Sequence, residues 1–320
     1  MRRLSSVRVA LWLVVAIGGL VWWVSARAGN PWGANYFPNV PLTTQDGTVV
    51  RFYDDLLKGK TVGINVMFTD CKDVCPLETA MLVQLKKLLG DRVGRDIFFY
   101  SISIDPGHDT PKVLKAYAEK FGAGGPGWQF LTGKPEDVFL IVKKMGLIKA
   151  TDGSARDAHS SIFMVGHEPT GQWMRNSALD NPKFLAGRMA SFLGWRDDDP
   201  GRSYAEARPL TFDASQHLFQ SRCGVCHTIG QGDKVGPDLR DVTSRRDRGW
   251  LARYIQAPDE LLAAGDPVAT SLYRKYKEVR MPNLHLSSAD VAGLIAYLQA
   301  QAGPRIEQPR KEAAQAPLKR

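Results

Sequence analysis

Cysteine is scarce in this sequence, with four residues in 320. They fall into two close pairs, Cys71 with Cys75 and Cys223 with Cys226, and none is left over. That excludes a fold stapled by disulfides. Excess charge is also lacking where a folded surface would need it. The net charge is +9, but residues 1–28 carry four arginines and no acid, and residues 304–320 carry five basic residues against two acids. Residues 29–303 are left with only +2, too little for a nucleic-acid surface. There is no internal repeat, and no strand pattern beyond about Leu210.

Long apolar runs are missing too, with one exception. Residues 9–24 (VALWLVVAIGGLVWWV) are uninterrupted and follow Arg2, Arg3 and Arg8. With Val7 and Arg8 the stretch approaches the length that spans a bilayer, and Trp22-Trp23 suits an interfacial belt. Ala26-Arg27-Ala28 offers a small-residue cleavage pattern, so a secretory signal is the alternative. The expectation is a signal or anchor over 1–28, held as an uncleaved inner-membrane anchor, with the rest of the chain on the periplasmic or other extracytoplasmic side.

Between residues 36 and 195, strands alternate with helices. Leu42 to Tyr53 predicts a hairpin turning at Gln45-Asp46-Gly47. Lys60–Thr69 and Asp96–Asp105 are apolar strands, and Trp128–Leu131 is a third. Helices are expected over 76–89, over 111–121 between Thr110 as N-cap and Gly122 as stop, over Pro135–Met145 and over Pro182–Leu193. His159–Val165 and Gly171–Met174 form a second hairpin. This alternation points to an α/β sandwich. Residues 196–208 (RDDDPGRSYAEAR) are a linker. Residues 209–303 are all-α, and 304–320, built of Pro, Ala and charge, form a disordered tail.

Thr69-Asp70-Cys71-Lys72-Asp73-Val74-Cys75-Pro76 stands where a strand meets a helix. Pro76 fits the first helical position, and Leu77, Met81, Leu82, Leu85, Leu88 and Leu89 follow at helical spacing. The thiols therefore sit at a helix N-terminus, whose partial positive charge favours thiolate. Thiolate is both a nucleophile and a soft-metal ligand, so the turn serves redox chemistry or copper. Its x₃ spacing is wider than the C-x-x-C of thiol oxidoreductases. A structural Cys71–Cys75 disulfide would close too small a loop to constrain the unfolded chain much.

Cys223-Gly224-Val225-Cys226-His227 has the form of a c-type haem attachment motif. Its cysteines would form thioethers with one haem, and His227 would be the proximal iron ligand. A zinc site there would have adjacent ligands and no fourth. Arg280-Met281-Pro282-Asn283 then precedes a helix over Ser288–Gln299 capped by Ser287 or Ser288. Met281 is the expected sixth ligand, with His285 as its rival.

The thiol turn, the Asp105-Pro-x-x-Asp-Thr-Pro111 segment and Ala158-His159-Ser160 together resemble the Sco/SenC family of membrane-tethered, thioredoxin-like copper proteins. The likeness covers about 36–195. It implies one copper held by Cys71, Cys75 and His159. The family often has Asp directly before this histidine; here Ala158 stands there and Asp157 one earlier. His108 and His167, in turns near strand ends, are expected to be solvated. Residues 209–303 resemble small class I cytochromes c, with Gly236-Pro237-Asp238-Leu239 similar to their proximal loop. The fold expected is thus a thioredoxin-like α/β domain, then an all-α cytochrome c domain, behind an N-terminal membrane anchor. The resemblance implies copper delivery or redox control in building the dinuclear copper centre of cytochrome c oxidase. Partners would be the oxidase's copper-bearing subunit and other periplasmic redox or copper proteins. Two alternatives stand beside it: Cys71 and Cys75 as the redox-active pair of a thiol-disulfide oxidoreductase, and a haem electron carrier with a docking module.

Overall fold

The computed structural model describes residues 32–148, 161–195 and 213–302. The expected anchor at 1–28, His159, the linker at 196–208 and the tail at 304–320 lie outside the described residues. Among the described residues no helix is long and apolar enough to cross a membrane.

The first half folds around a seven-stranded sheet. Its strands are β1 (Pro41–Thr44), β2 (Val49–Arg51), β3 (Thr61–Met67), β4 (Phe98–Ser103), β5 (Trp128–Gly133), β6 (Ile162–His167) and β7 (Gln172–Ser177). They lie in the order β2-β1-β5-β4-β3-β6-β7. The central pairs β3–β4 and β4–β5 are parallel, and β1–β2, β1–β5, β3–β6 and β6–β7 are antiparallel. Parallel strands need crossovers, which helices α1 (Cys75–Leu89) and α2 (Pro111–Phe121) supply.

Every residue of β3 is buried, as expected of a strand covered on both faces. Val62, Ile64 and Val66 point into one core with Phe52, Leu56, Leu57 and helix α3 (Pro135–Lys144). Met67, with Phe99, Trp128 and Phe163, points into the other core, against α1, α2 and α4 (Pro182–Phe192). Thr110 caps α2 by accepting from Val113 N–H, and Gly122 ends it in a left-handed conformation (φ 63°). The first hairpin is shorter than expected. Phe52–Leu57 coils into a helical turn, because burying Phe52, Tyr53, Leu56 and Leu57 together needs helical spacing rather than alternation.

The second half is helical: α5 (Ala214–Leu218), α6 (Val242–Arg245), α7 (Arg248–Gln256), α8 (Pro258–Ala263), α9 (Pro267–Lys275) and α10 (Ser288–Ala300). Helix α5 is extended by a wider turn over Phe219–Cys223. It is followed by a Cys226-to-Gly236 loop. Ser287 caps α10 through a capping box with Asp290. Phe219, Leu251, Ile255, Val291, Leu294, Ile295 and Leu298 form a separate small core.

The two halves touch. Val225, Cys226, Val235, Val279 and Leu284 of the second half pack against the Cys71 and Cys75 core of the first. Gln84 Nε2 donates to the Val225 carbonyl at 3.1 Å, and Arg222 to the Leu179 carbonyl at 3.0 Å.

Candidate metal and haem sites

The thiol turn leaves the C-terminal end of β3, and Cys75 opens α1. No disulfide joins the two thiols, and both are sequestered, Cys71 2% exposed and Cys75 0%. A hydrogen bond from the Cys75 thiol is the main cause that lowers the Cys71 pKa, while burial opposes it. The same bond, followed by burial, pushes Cys75 well up. Of the pair, Cys71 is therefore the readier to ionise and Cys75 the one that keeps its proton, an arrangement able to ligate a soft cation or attack a disulfide.

A buried carboxylate pins the turn. Asp109 is 0% exposed and accepts from Thr69 N–H at 3.1 Å, Thr69 Oγ1 at 2.5 Å and Ser103 Oγ at 2.6 Å. This ties the residues before Cys71 to the end of β4. The Asp105–Pro111 segment thus acts on the site through its second aspartate. Its His108 is exposed, yet it lines a cavity with Thr69, Asp70 and Cys71. His167 is remote from the thiols, since its Nδ1 bonds Thr61 Oγ1 at 2.8 Å at the opposite end of β3.

Glu78, one helical turn beyond Cys75, went unsuspected in the sequence. It is 1% exposed, and burial pushes its carboxyl up to about 7, against a hydrogen bond from Ser161 that lowers it. Its other oxygen has no hydrogen-bond partner. Ser161 lies two residues after His159, so Glu78 holds the end of the histidine segment against the helix that starts with Cys75. Among the described residues no group of three or more His, Cys, Asp or Glu converges on a metal; of the three expected copper ligands, the structure brings together Cys71 and Cys75.

In the second half, Cys223, Cys226, His227 and Met281 line one cavity with the apolar Phe219, Val235, Leu239, Leu251, Leu294 and Leu298. His227 Nδ1 lies 2.9 Å from the Pro237 carbonyl. A carbonyl only accepts, so Nδ1 carries the proton and Nε2 keeps its lone pair for a metal. Burial lowers the His227 pKa, which keeps the imidazole neutral. Gly236 leaves room for that ring, since a Cβ there would sit 2.6 Å from His227 Cε1. Asp238 braces the loop by accepting from Gly230, Gly232 and Arg240 N–H groups; burial raises its pKa, but these bonds outweigh it and bring it to about 2. Burial pushes Cys223 up to about 12 and Cys226 up to about 11. An apolar slot with two thiols, a neutral imidazole and a thioether fits a c-type haem. His285, the rival ligand, is exposed and lies 3.7 Å from Asp73.

The two sites adjoin. Pro76, bonded directly to Cys75, lines the same cavity as Met281 and His227. Asn283 N–H donates to the Lys72 carbonyl at 3.2 Å, and Arg280 lies 3.4 Å from Asp70.

A buried thiol pair at the mouth of an α/β sheet and a haem-binding slot between short helices define a thioredoxin-like domain joined to a cytochrome c domain. Family models agree: one described as SCO1/SenC matches residues 34–191, and one described as Cytochrome c matches residues 212–302. The SCO1 protein homolog of Bacillus subtilis is 32% identical over 137 residues, 41% of this chain and 68% of that protein. The chain belongs to the SCO1/SenC family and carries a cytochrome c domain behind it. Among solved structures, Arabidopsis thaliana ScoI with copper bound is 22% identical, with a TM-score of 0.41 over 50% of this chain and 99% of that one. BsSco, described as having a disulfide switch and as a member of the Sco family of cytochrome c oxidase assembly proteins, is 26% identical, with a TM-score of 0.40 over 50% of this chain and 96% of that one.

Proposed function

We propose that this chain takes one copper ion as cargo on Cys71, Cys75 and His159. It delivers the ion to the copper-bearing subunit of cytochrome c oxidase outside the cytoplasm, from a membrane anchor over residues 1–28, and its haem domain sets the copper's redox state. Two thiol sulfurs and an imidazole suit Cu(I), and Cu(II) with charge transfer. The observation that carries the role of the haem domain is Pro76. One residue of the chain lines the haem slot and is bonded to Cys75, so the two sites adjoin through a single residue.

Electron counting favours copper over the disulfide as the haem's partner. A c-type haem on Cys223 and Cys226, with His227 and Met281 as axial ligands, would supply one electron at a time. Cu(II)/Cu(I) takes one electron, whereas opening a Cys71–Cys75 disulfide takes two electrons and two protons through an unfavourable radical. Stopped-flow mixing of the reduced full-length protein with one equivalent of Cu(II) tests this. The reduced haem band should decay at a rate independent of protein concentration, and Cys75→Ser should abolish that phase. Haem that reduces the disulfide but not bound Cu(II) would refute it.

A second reading has its own observation: the hydrogen bond between the Cys75 and Cys71 thiols, which lowers the Cys71 pKa. Once Cys71 ionises, the pair can reduce a partner's disulfide to two thiols while closing its own. In that case His159→Ala would leave activity intact, which the copper reading forbids.

A further inference from the structure

The approach to Cys71 runs through a cavity of about 260 Å³ between the two domains. Its walls are Thr69, Asp70, Cys71 and His108 on one side, and Tyr273, Glu278, Val279 and Arg280 on the other. The haem domain thus covers the face through which metal would leave. Polar contacts ring the cover: Arg280 to Asp70 at 3.4 Å, Lys120 to Glu278 at 3.6 Å, His285 to Asp73 at 3.7 Å, and Asn283 N–H to the Lys72 carbonyl at 3.2 Å. Val279 and Leu284 pack beneath them against the cysteine core.

The covering loop carries unfavourable backbone. Lys277 (φ 55°), Glu278 (φ 56°) and His285 (φ 50°) take left-handed backbone conformations that side chains other than glycine disfavour. These three residues bracket the segment that carries Arg280, Met281 and Asn283. The docked loop is held against backbone strain by Val279 and Leu284 on the cysteine core and by a ring of partly exposed ion pairs, which are individually weak and screened by salt. The polar ring is the part of the contact that salt and charge can loosen.

We propose that the face around the thiol turn is an exchangeable docking surface, filled in this structure by the chain's own haem domain through residues 278–285. It must be vacated before a copper-receiving protein can reach Cys71. Held and reduced copper then belongs to the docked state, and metal transfer to the undocked one. The incoming protein has to match the same chemistry: cationic groups for Asp70 and Asp73, and an N–H for the Lys72 carbonyl. The proposal rests on the copper-delivery reading only for what the competitor is; the docking itself can be tested without copper.

The test uses the full-length, haem-loaded, metal-free protein with its remaining thiols reduced. Iodoacetamide then reports access to Cys71 and Cys75, because thioether formation removes Cys223 and Cys226. Lys120→Glu and Glu278→Lys each put like charges across the interface, in the cavity wall that both residues share with Cys71. The double variant restores the pair and its net charge with the signs exchanged, which separates docking from a direct charge effect on the thiol. Alkylation should quicken about two- to fivefold in each single variant, the range expected for loss of an exposed ion pair. It should return to the wild-type rate in the double variant. In the wild type it should also quicken on going from about 0.1 M to about 1 M salt, where screening shortens from about 10 Å to about 3 Å. A wild-type rate unmoved by salt, or single-variant effects that persist in the double variant, would overturn the proposal. Failure of copper binding would leave these rates untouched and would count against the delivery reading instead.

Discussion

At the scale of single residues, the thiol site depends on groups that flank it. Glu78 has an ordinary value of 4.5 and sits at about 7 in the fold. Below 4.5 both folded and unfolded chains hold its proton. Between about 4.5 and 7 the unfolded chain ionises while the buried group does not, so stability falls as pH rises through that window and then levels off. At 1.36 kcal/mol per unit, the loss is on the order of 3 kcal/mol. In Glu78→Gln that slope should vanish, which urea unfolding of the metal-free α/β domain at about pH 4.5 and pH 8 would register; parallel profiles for variant and wild type would contradict it. In the haem slot, Gly236→Ala would drive a Cβ into the His227 ring. The ring must shift, at a cost of about 1–3 kcal/mol, and the haem absorption should report a weakened or exchanged axial ligand. An unaltered spectrum would mean that the loop yields instead. The cysteines and Met281 were legible because each stands in a short pattern with its own punctuation. Glu78 was not: an acid among Leu77, Met81 and Leu82 reads as the wet face of a helix, and only packing shows that face to be buried. Asp109 was hidden likewise, since Asp-Thr-Pro before a helix reads as a cap, while its bonds run back to Thr69 and Ser103.

At the scale of elements, the strand-to-helix and loop-to-helix junctions position the chemistry. Cys75 and Pro76 start α1, and Ser287 starts α10 immediately after the methionine loop. Ser287 accepts from Asp290 N–H and the Asp290 carboxylate answers the Ser287 N–H, satisfying two groups that a helix end otherwise leaves open. Ser287→Ala should lower the unfolding free energy of the haem domain by about 1 kcal/mol. Haem absorption followed against denaturant would show it, with the α/β domain's transition unmoved; an equal shift in both would contradict an effect local to α10. Strong periodicity and caps made the helices over 75–89, 111–121 and 288–300 readable to within a residue or two. The Phe52–Leu57 turn escaped because two adjacent buried pairs, Phe52-Tyr53 and Leu56-Leu57, fit no simple alternation. The wider turn at Phe219–Cys223 gave no signal either, since it continues α5 without a glycine or proline to mark the change.

At the scale of the whole molecule, one domain's site is built into the other's wall. Pro76 lines the haem slot, Val225 and Leu284 pack on the cysteine core, and Lys72 meets Asn283. Those contacts join residues from 150 positions (Cys75 to Val225) to 211 positions (Lys72 to Asn283) apart. Local pattern carries no trace of them, so the family resemblance of each half was visible while their juxtaposition was not. In the function proposed above, this arrangement sets a carrier of single electrons beside the copper site. The account stands on the copper ligands, and X-ray absorption at the copper edge of the full-length Cu(I)-loaded protein tests them most directly, because haem does not obscure that signal. The predicted result is one copper per chain with two sulfur neighbours and one nitrogen, the nitrogen being lost in His159→Ala. Copper surrounded by nitrogen and oxygen alone, or a spectrum unchanged by His159→Ala, would contradict the account.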